Sequence, residues 1–231
     1  MPTRQKKSVR NRLLNILILL LFLSGIYLVA RPYVFDYLNS RKADSTLELV
    51  ENQEDIAEKR RRLAQEDLYG GADVTNITKE AYQNADAEKI IFTYGIGKIV
   101  FLEQDIAVPV VEGVTNDALL VGAGTLKANQ EVGRGNFSLA AHRLATRHSI
   151  LFSNLKNTEI GEHVRLTIGA DVATYEITEK KVIDPTQVEY ISDEQGDGLI
   201  TLICCTDDSV DRWMVRGKLV DETPTTAAVD K

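Results

Sequence analysis

Apolar residues fall into three regimes along the chain of 231 residues. Leu13–Ala30 is an almost unbroken apolar run that spans roughly 27 Å as a helix, close to the thickness of a bilayer core. Residues 39–68 are the opposite, dense in charge and thin in apolar positions, with Leu47, Val50, Ile56 and Leu63 too sparse for a coiled-coil seam. From about residue 76 the apolar residues gather into short runs punctuated by glycine, which predicts strands joined by tight turns.

Within the third regime, Thr78–Ala87 reads as a short helix. Ile96–Leu102 and Ala107–Val111 read as strands around a turn at Glu103-Gln104-Asp105. Gly122-Ala123-Gly124 and Gly133-Arg134-Gly135-Asn136 read as turns, and Phe137–Ala141 as a strand leading into His142. Val164–Ile168 and Ala173–Val182 predict a hairpin, followed by a long polar loop, Asp184–Gly198. Leu199–Ile203 is nearly all apolar, as in a strand covered on both faces. Asp207-Asp208-Ser209 turns the chain, and Arg212–Val220 resumes it. Many short strands with few helical periods mean an all-β barrel or sandwich.

Charge refines the first two regimes. Residues 1–12 carry Arg4, Lys6, Lys7, Arg10 and Arg12 and no acid, so the net −7 leaves −12 on the rest of the chain. An acidic body argues against nucleic acid as a partner, because phosphate binding needs a basic face. Five cations ahead of an apolar run predict a transmembrane signal anchor over 13–30, a cytoplasmic basic tail over 1–12 and an extracellular remainder. A cleaved signal peptide is the rival; its apolar core is usually shorter, and Leu28 occupies the first small position of a cleavage site. Residues 31–75 read as a solvated helical stalk, opened by a capping box at Ser45-Thr46-Leu47-Glu48 and ended by Tyr69-Gly70-Gly71. The tail from Asp221 to Lys231 is polar, Thr-rich and expected to be disordered.

Candidate chemistry centres on Cys204 and Cys205, the two cysteines of the chain. Adjacent cysteines make a poor structural disulfide and cannot supply a spaced zinc set. Consecutive strand residues point to opposite faces, so one thiol can be buried while the other meets a cleft. Arg212 lies across the following hairpin, and His142 ends a strand among small residues; His148 and His163 are the other histidines. Thiol chemistry needs a thiolate, a proton donor for the leaving group and a cation near the developing oxyanion. Cys205, His142 and Arg212 can supply those roles. A buried structural cysteine in a membrane-anchored binding or structural module satisfies the same residues.

Three motifs in order carry a resemblance. Thr201-Leu202-Ile203-Cys204-Cys205, Arg212-Trp213-Met214-Val215 and Ser138-Leu139-Ala140-Ala141-His142 resemble the nucleophile, arginine and histidine segments of the class A sortases of Gram-positive bacteria. Ile96-Gly97-Lys98-Ile99, Pro109-Val110, Gly122–Lys127 and Leu151–Leu155 extend the likeness over about residues 76–220. The resemblance implies an eight-stranded sortase β-barrel over 76–220 and a transpeptidase on the outer face of the membrane. It implies cleavage of a Leu-Pro-x-Thr-Gly sorting signal between Thr and Gly through a thioacyl intermediate on Cys205. It gives His142 as general acid and base, Arg212 as the oxyanion and orienting cation, and Ala140, Ala141, Thr201 and Ile203 as substrate contacts. The implied partners are surface proteins bearing the sorting signal and the cross-bridge amine of lipid II. The family's threonine before the nucleophile is Cys204 here, and Arg216 is a rival for the arginine role. Some relatives bind calcium, for which Glu103, Asp105 and the acids of 184–198 are available, but no cofactor is expected. A pilus-type sortase is the alternative within the family.

Overall fold

The apolar run lies inside a long helix, α1 (Arg4–Glu51), whose stretch Arg10–Arg31 has a mean hydropathy of 2.6 and is long and apolar enough to cross a membrane. The computed structural model of the protein describes residues 4–51, 55–69, 78–104, 106–144 and 150–223. Gly70, Gly71, Asp105 and His148, named above, lie outside them. The chain divides into two units, residues 1–41 and 42–231. Ser45-Thr46-Leu47-Glu48 does not open a helix, because α1 runs through it.

In the second unit, short capped helices precede the sheet. Asp55 caps α2 (Ile56–Leu63) by accepting from Glu58 N, and Thr78 caps α3 (Lys79–Asn84) by accepting from Ala81 N. Asp86 does the same for α4 (Ala87–Tyr94), a helix whose apolar residues the sequence reading left unassigned. Each capping oxygen satisfies one of the N–H groups a helix start leaves unpaired.

Eight strands follow: β1 (Gly95–Phe101), β2 (Ile106–Val111), β3 (Ala123–Thr125), β4 (Asn136–Ala140), β5 (His163–Ile168), β6 (Asp171–Ile183), β7 (Leu199–Cys205) and β8 (Arg212–Thr223). They close into a barrel in the order β1-β2-β3-β4-β7-β8-β6-β5. Most neighbours are antiparallel, but β2–β3 and β4–β7 are parallel. Alternate residues point inward, and Ile99, Leu139, Leu166, Ile177, Ile200 and Leu202 meet in the core.

Two boundaries depart from the sequence reading. Gly122-Ala123-Gly124 is not a turn; its last two residues begin β3, with α5 (Asn116–Leu119) just before it. Glycine is required there because a Cβ on Gly124 would lie 2.2 Å from the Gly113 carbonyl oxygen, and one on Gly122 2.7 Å from that of Pro109. At the other end β8 extends past Val220, pairing Asp221 with Thr174 and Glu222 with Ala173, so strand pairing orders the first residues of the expected tail.

The stalk is the larger correction. Thr46, Val50, Leu63 and Leu68 are buried, and Val50 packs with Ile90, Ile91, Val111, Ala118 and Val121 in a second apolar cluster. Burying each of the two leucines is worth roughly 1.5–3 kcal/mol. From Lys42 on, the chain belongs to the same unit as the barrel.

Candidate active site

The site grows from the parallel β4–β7 pair. Their register sets Ala140 opposite Ile203, and Ala141 N extends it by donating to Ile203 O at 3.1 Å. One face of β4 puts Phe137, Leu139 and Ala141 into the core, so Asn136, Ser138 and Ala140 take the outer face. On β7, Ile200, Leu202 and Cys204 point inward, leaving Thr201, Ile203 and Cys205 outside.

β8 completes the set, with Arg212 the direct cross-strand partner of Cys205. The intervening turn is braced by Thr206, whose Oγ1 donates to Asp208 Oδ1 at 2.6 Å and accepts from Asp211 N at 3.1 Å. Arg212 Nη1 donates to the carbonyl oxygens of Asp211 (3.0 Å) and Ser209 (3.3 Å), which holds its guanidinium at the rim. Beyond β4 the chain carries His142 into a bend, where its carbonyl accepts from Phe152 N at 3.3 Å. Arg143 pairs with Asp207, linking the histidine and cysteine segments.

These elements surround a cavity of about 380 Å³, lined by His142, Cys204, Cys205 and Arg212. Ala140, Ala141 and Ile203 also line it. Of the expected substrate contacts, Thr201 does not. It is fully buried, and its hydroxyl donates to Asn136 Oδ1 at 2.8 Å. Thr201 therefore locks the loop over β7 and has no surface to offer.

Sequence reasoning missed the apolar walls. Val114, Leu119 and Leu126 form one side, Pro185, Val188 and Ile191 the other. The second side is the loop after β6, which contains 3-10 turns at Val188–Ile191 and Asp193–Gln195. Asn136 Nδ2 donates to Tyr190 O (2.8 Å) and Ser192 O (3.2 Å), pinning the loop to β4. The signal available was Val188 and Ile191, apolar residues three apart in an otherwise polar stretch.

The two arginines separate cleanly. Arg216 Nη2 donates to Tyr190 O at 2.8 Å, its Nη1 lies 3.5 Å from Glu179 Oε2, and its guanidinium stacks 5.4 Å from the Tyr190 ring. It is committed to the loop, whereas Arg212 borders the cavity.

Burial distinguishes the thiols and sets the histidine's charge. Cys204 is 2% exposed, and desolvation, reinforced by the neighbouring Cys205, pushes its thiol up to about 12 despite Arg143 and Arg212. Cys205 is half-buried. His142 is pushed down to about 4 by burial, so its imidazole is neutral near pH 7. Among the described residues its Nε2 has no hydrogen-bond partner.

The remaining candidates are elsewhere. His163 begins β5, with its Nδ1 2.8 Å from Glu103 Oε1 and its backbone N–H on Glu103 Oε2. Asp193 accepts from Lys127 and Asn136 N, and Asp197 from Gly135 N. Among the described residues no three His, Cys, Asp or Glu side chains converge as metal ligands.

The sortase domain family matches residues 102–220, just over half of the chain. Sortase A of Streptococcus agalactiae serotype III is 38% identical over 129 residues, 54% of this chain and 52% of that protein, so the chain spans about half of that relative's length. Sortase A of Bacillus anthracis is 26% identical over 213 residues, covering 91% of this chain and 96% of that one. The solved structure of Listeria monocytogenes sortase A superposes with a TM-score of 0.52 at 29% identity, over 58% of this chain and 92% of that chain. With its closed barrel, and a cysteine, a histidine and an arginine brought to one cavity, the chain belongs to the sortase family, as a class A member.

Proposed function

We propose that the protein is a membrane-anchored cysteine transpeptidase that joins surface proteins to the cell wall. The observation carrying this reading is the convergence of Cys205, His142 and Arg212 on one cavity with apolar walls. Cys205 Sγ attacks the Thr carbonyl carbon of a Leu-Pro-x-Thr-Gly signal, and Arg212 stabilises the oxyanion that forms. The C–N bond to glycine breaks as His142 delivers to the amine the proton released by Cys205. A thioester to Cys205 remains. An incoming amine, that of a lipid II cross-bridge, attacks the thioester and gives up a proton through His142, regenerating the thiol. Its neutral imidazole suits the proton-accepting steps.

The apolar walls favour a Leu-Pro segment over a charged one, and they shield the thioester from water. The basic residues ahead of Arg10–Arg31 orient the anchor with residues 1–12 in the cytoplasm and the barrel outside.

The test is incubation of the full chain, in detergent, with a Leu-Pro-x-Thr-Gly peptide and an amine. Mass spectrometry should find a thioacyl adduct on the Cys205 peptide and a ligated product, both absent in Cys205→Ala. A folded protein that forms no adduct with a range of sorting peptides overturns the reading and leaves a binding module.

A further inference from the structure

We infer that Arg60 and Tyr69, in the segment read from sequence as a solvated stalk, are positioning residues that hold one wall of the substrate cleft in place. Only the kinetic consequence rests on the function proposed above.

The hub is Glu112, which follows β2 and is 1% exposed. Its carboxylate is served from three directions. Arg60 Nε, on α2, reaches Oε2 at 2.7 Å. The Tyr69 hydroxyl donates to Oε1 at 2.9 Å, and so does the Thr125 hydroxyl of β3, also at 2.9 Å. Burial, and then the adjacent carboxylate, push the Tyr69 phenol up, so it stays a donor. A buried carboxylate without a cation is strongly unfavourable. Glu112 is therefore tenable at this position because Arg60 is there, and Arg60 comes from outside the strands of the barrel.

Two routes carry the clamp to the cavity. Val114 N donates to Leu68 O at 2.8 Å, and Val114 lines the cavity. Gly113, at φ +83, abuts Leu68 so closely that a Cβ would lie 2.5 Å from the leucine Cβ. Arg60 Nη2 donates to Gln130 O at 2.7 Å. The Gln130 side chain in turn brackets Ser138, accepting from its N–H at 2.6 Å and donating to its carbonyl at 3.0 Å. Ser138 lies in β4, the strand that leads to His142. Leu126, next to Thr125, donates its N–H to Ser138 O at 3.0 Å and forms part of the same wall. Arg60 and Tyr69 thus reach the cleft through residues 112–126 and through β4, and touch no reacting atom.

The wall contacts substrate side chains, so loosening it weakens binding more than chemistry. In the full chain in detergent, Arg60→Met should raise KM for the sorting peptide about tenfold, the size of a lost hydrogen bond to a charged group, with little change in kcat. The rate of Cys205 alkylation by iodoacetamide should stay the same. Hydrogen exchange should speed up within residues 112–126 and not in β5 and β6. Tyr69→Phe, which keeps the packing, should show the same pattern more weakly. Arg60→Met combined with Glu112→Gln should recover part of the KM, because no charge is then left unpaired. Uniform exchange across the barrel, or an unchanged KM in a folded Arg60→Met, overturns the inference. If the wild-type chain ligates no sorting peptide, the proposed function fails, and the exchange pattern alone decides whether the clamp stands.

Discussion

Cys205 and Arg212 form the last cross-strand pair of the β7–β8 hairpin, four pairs along from Thr201 and Arg216. The two arginines share one face of β8 yet do different work. Arg212 reaches the cavity rim, and Arg216 is buried under the loop it anchors.

Arg212→Ala should reduce kcat/KM by about 10²–10³-fold, the usual cost of removing an oxyanion donor, with little change in melting temperature. Arg216→Ala should do the reverse, costing about 1.5–3 kcal/mol of stability through lost charged hydrogen bonds. Thermal unfolding and peptide kinetics on both variants separate the roles. Equal kinetic losses without destabilisation would contradict the division.

Iodoacetamide at pH 8 should label Cys205 and spare Cys204, whose thiol is buried and pushed up to about 12. Cys204→Ala should cost about 1 kcal/mol of packing and keep the adduct-forming activity. Peptide mapping after labelling reads the site directly.

Stability should fall in mild acid on account of His142. Burial lowers its pKa from 6.5 to about 4 in the folded state, so the unfolded chain binds the proton more readily. The contribution is complete above the unfolded value of about 6.5 and is lost progressively as pH drops toward 4, at most about 3 kcal/mol. Unfolding followed at several pH values should show a shallower acid decline for His142→Gln than for the wild type.

Gly124→Ala should destabilise the barrel by about 2–3 kcal/mol, because the new methyl meets the Gly113 carbonyl and backbone cannot move aside. Gly161→Ala is the comparison for glycine loss in general. Gly161 has no atom within 4 Å of its hypothetical Cβ, though its φ of +94 adds some strain of its own. Denaturant midpoints for the pair test whether close approach dominates.

Much of the barrel was legible because its strands alternate or run apolar between glycine turns, as in Ile96–Leu102 and Leu199–Ile203. β3 was not, since a strand of three residues with a glycine at its centre looks like a turn from sequence. Lys59, Arg60, Arg61 and Arg62 disguised α2 as solvated, although Ile56 packs on the core and Leu63 is buried. Its Arg60 pairs with a buried carboxylate about fifty residues away, Glu112, and no local pattern encodes that. Cys205, His142 and Arg212 were singled out by residue chemistry and motif, and all three line one cavity. The walls contributed by Val114, Leu119 and Leu126 carry no mark that separates them from ordinary core residues.

β7 carries two chemically identical side chains in succession, and only the parity of the strand tells them apart. A slip of one residue against β4 and β8 would turn the Cys204 side chain to the outer face of β7, beside Arg212, and the Cys205 side chain into the core. Here the identity of the proposed nucleophile is thus a property of hydrogen-bond register, enforced by the Ala140–Ile203 and Cys205–Arg212 pairings, before it is a property of the thiol.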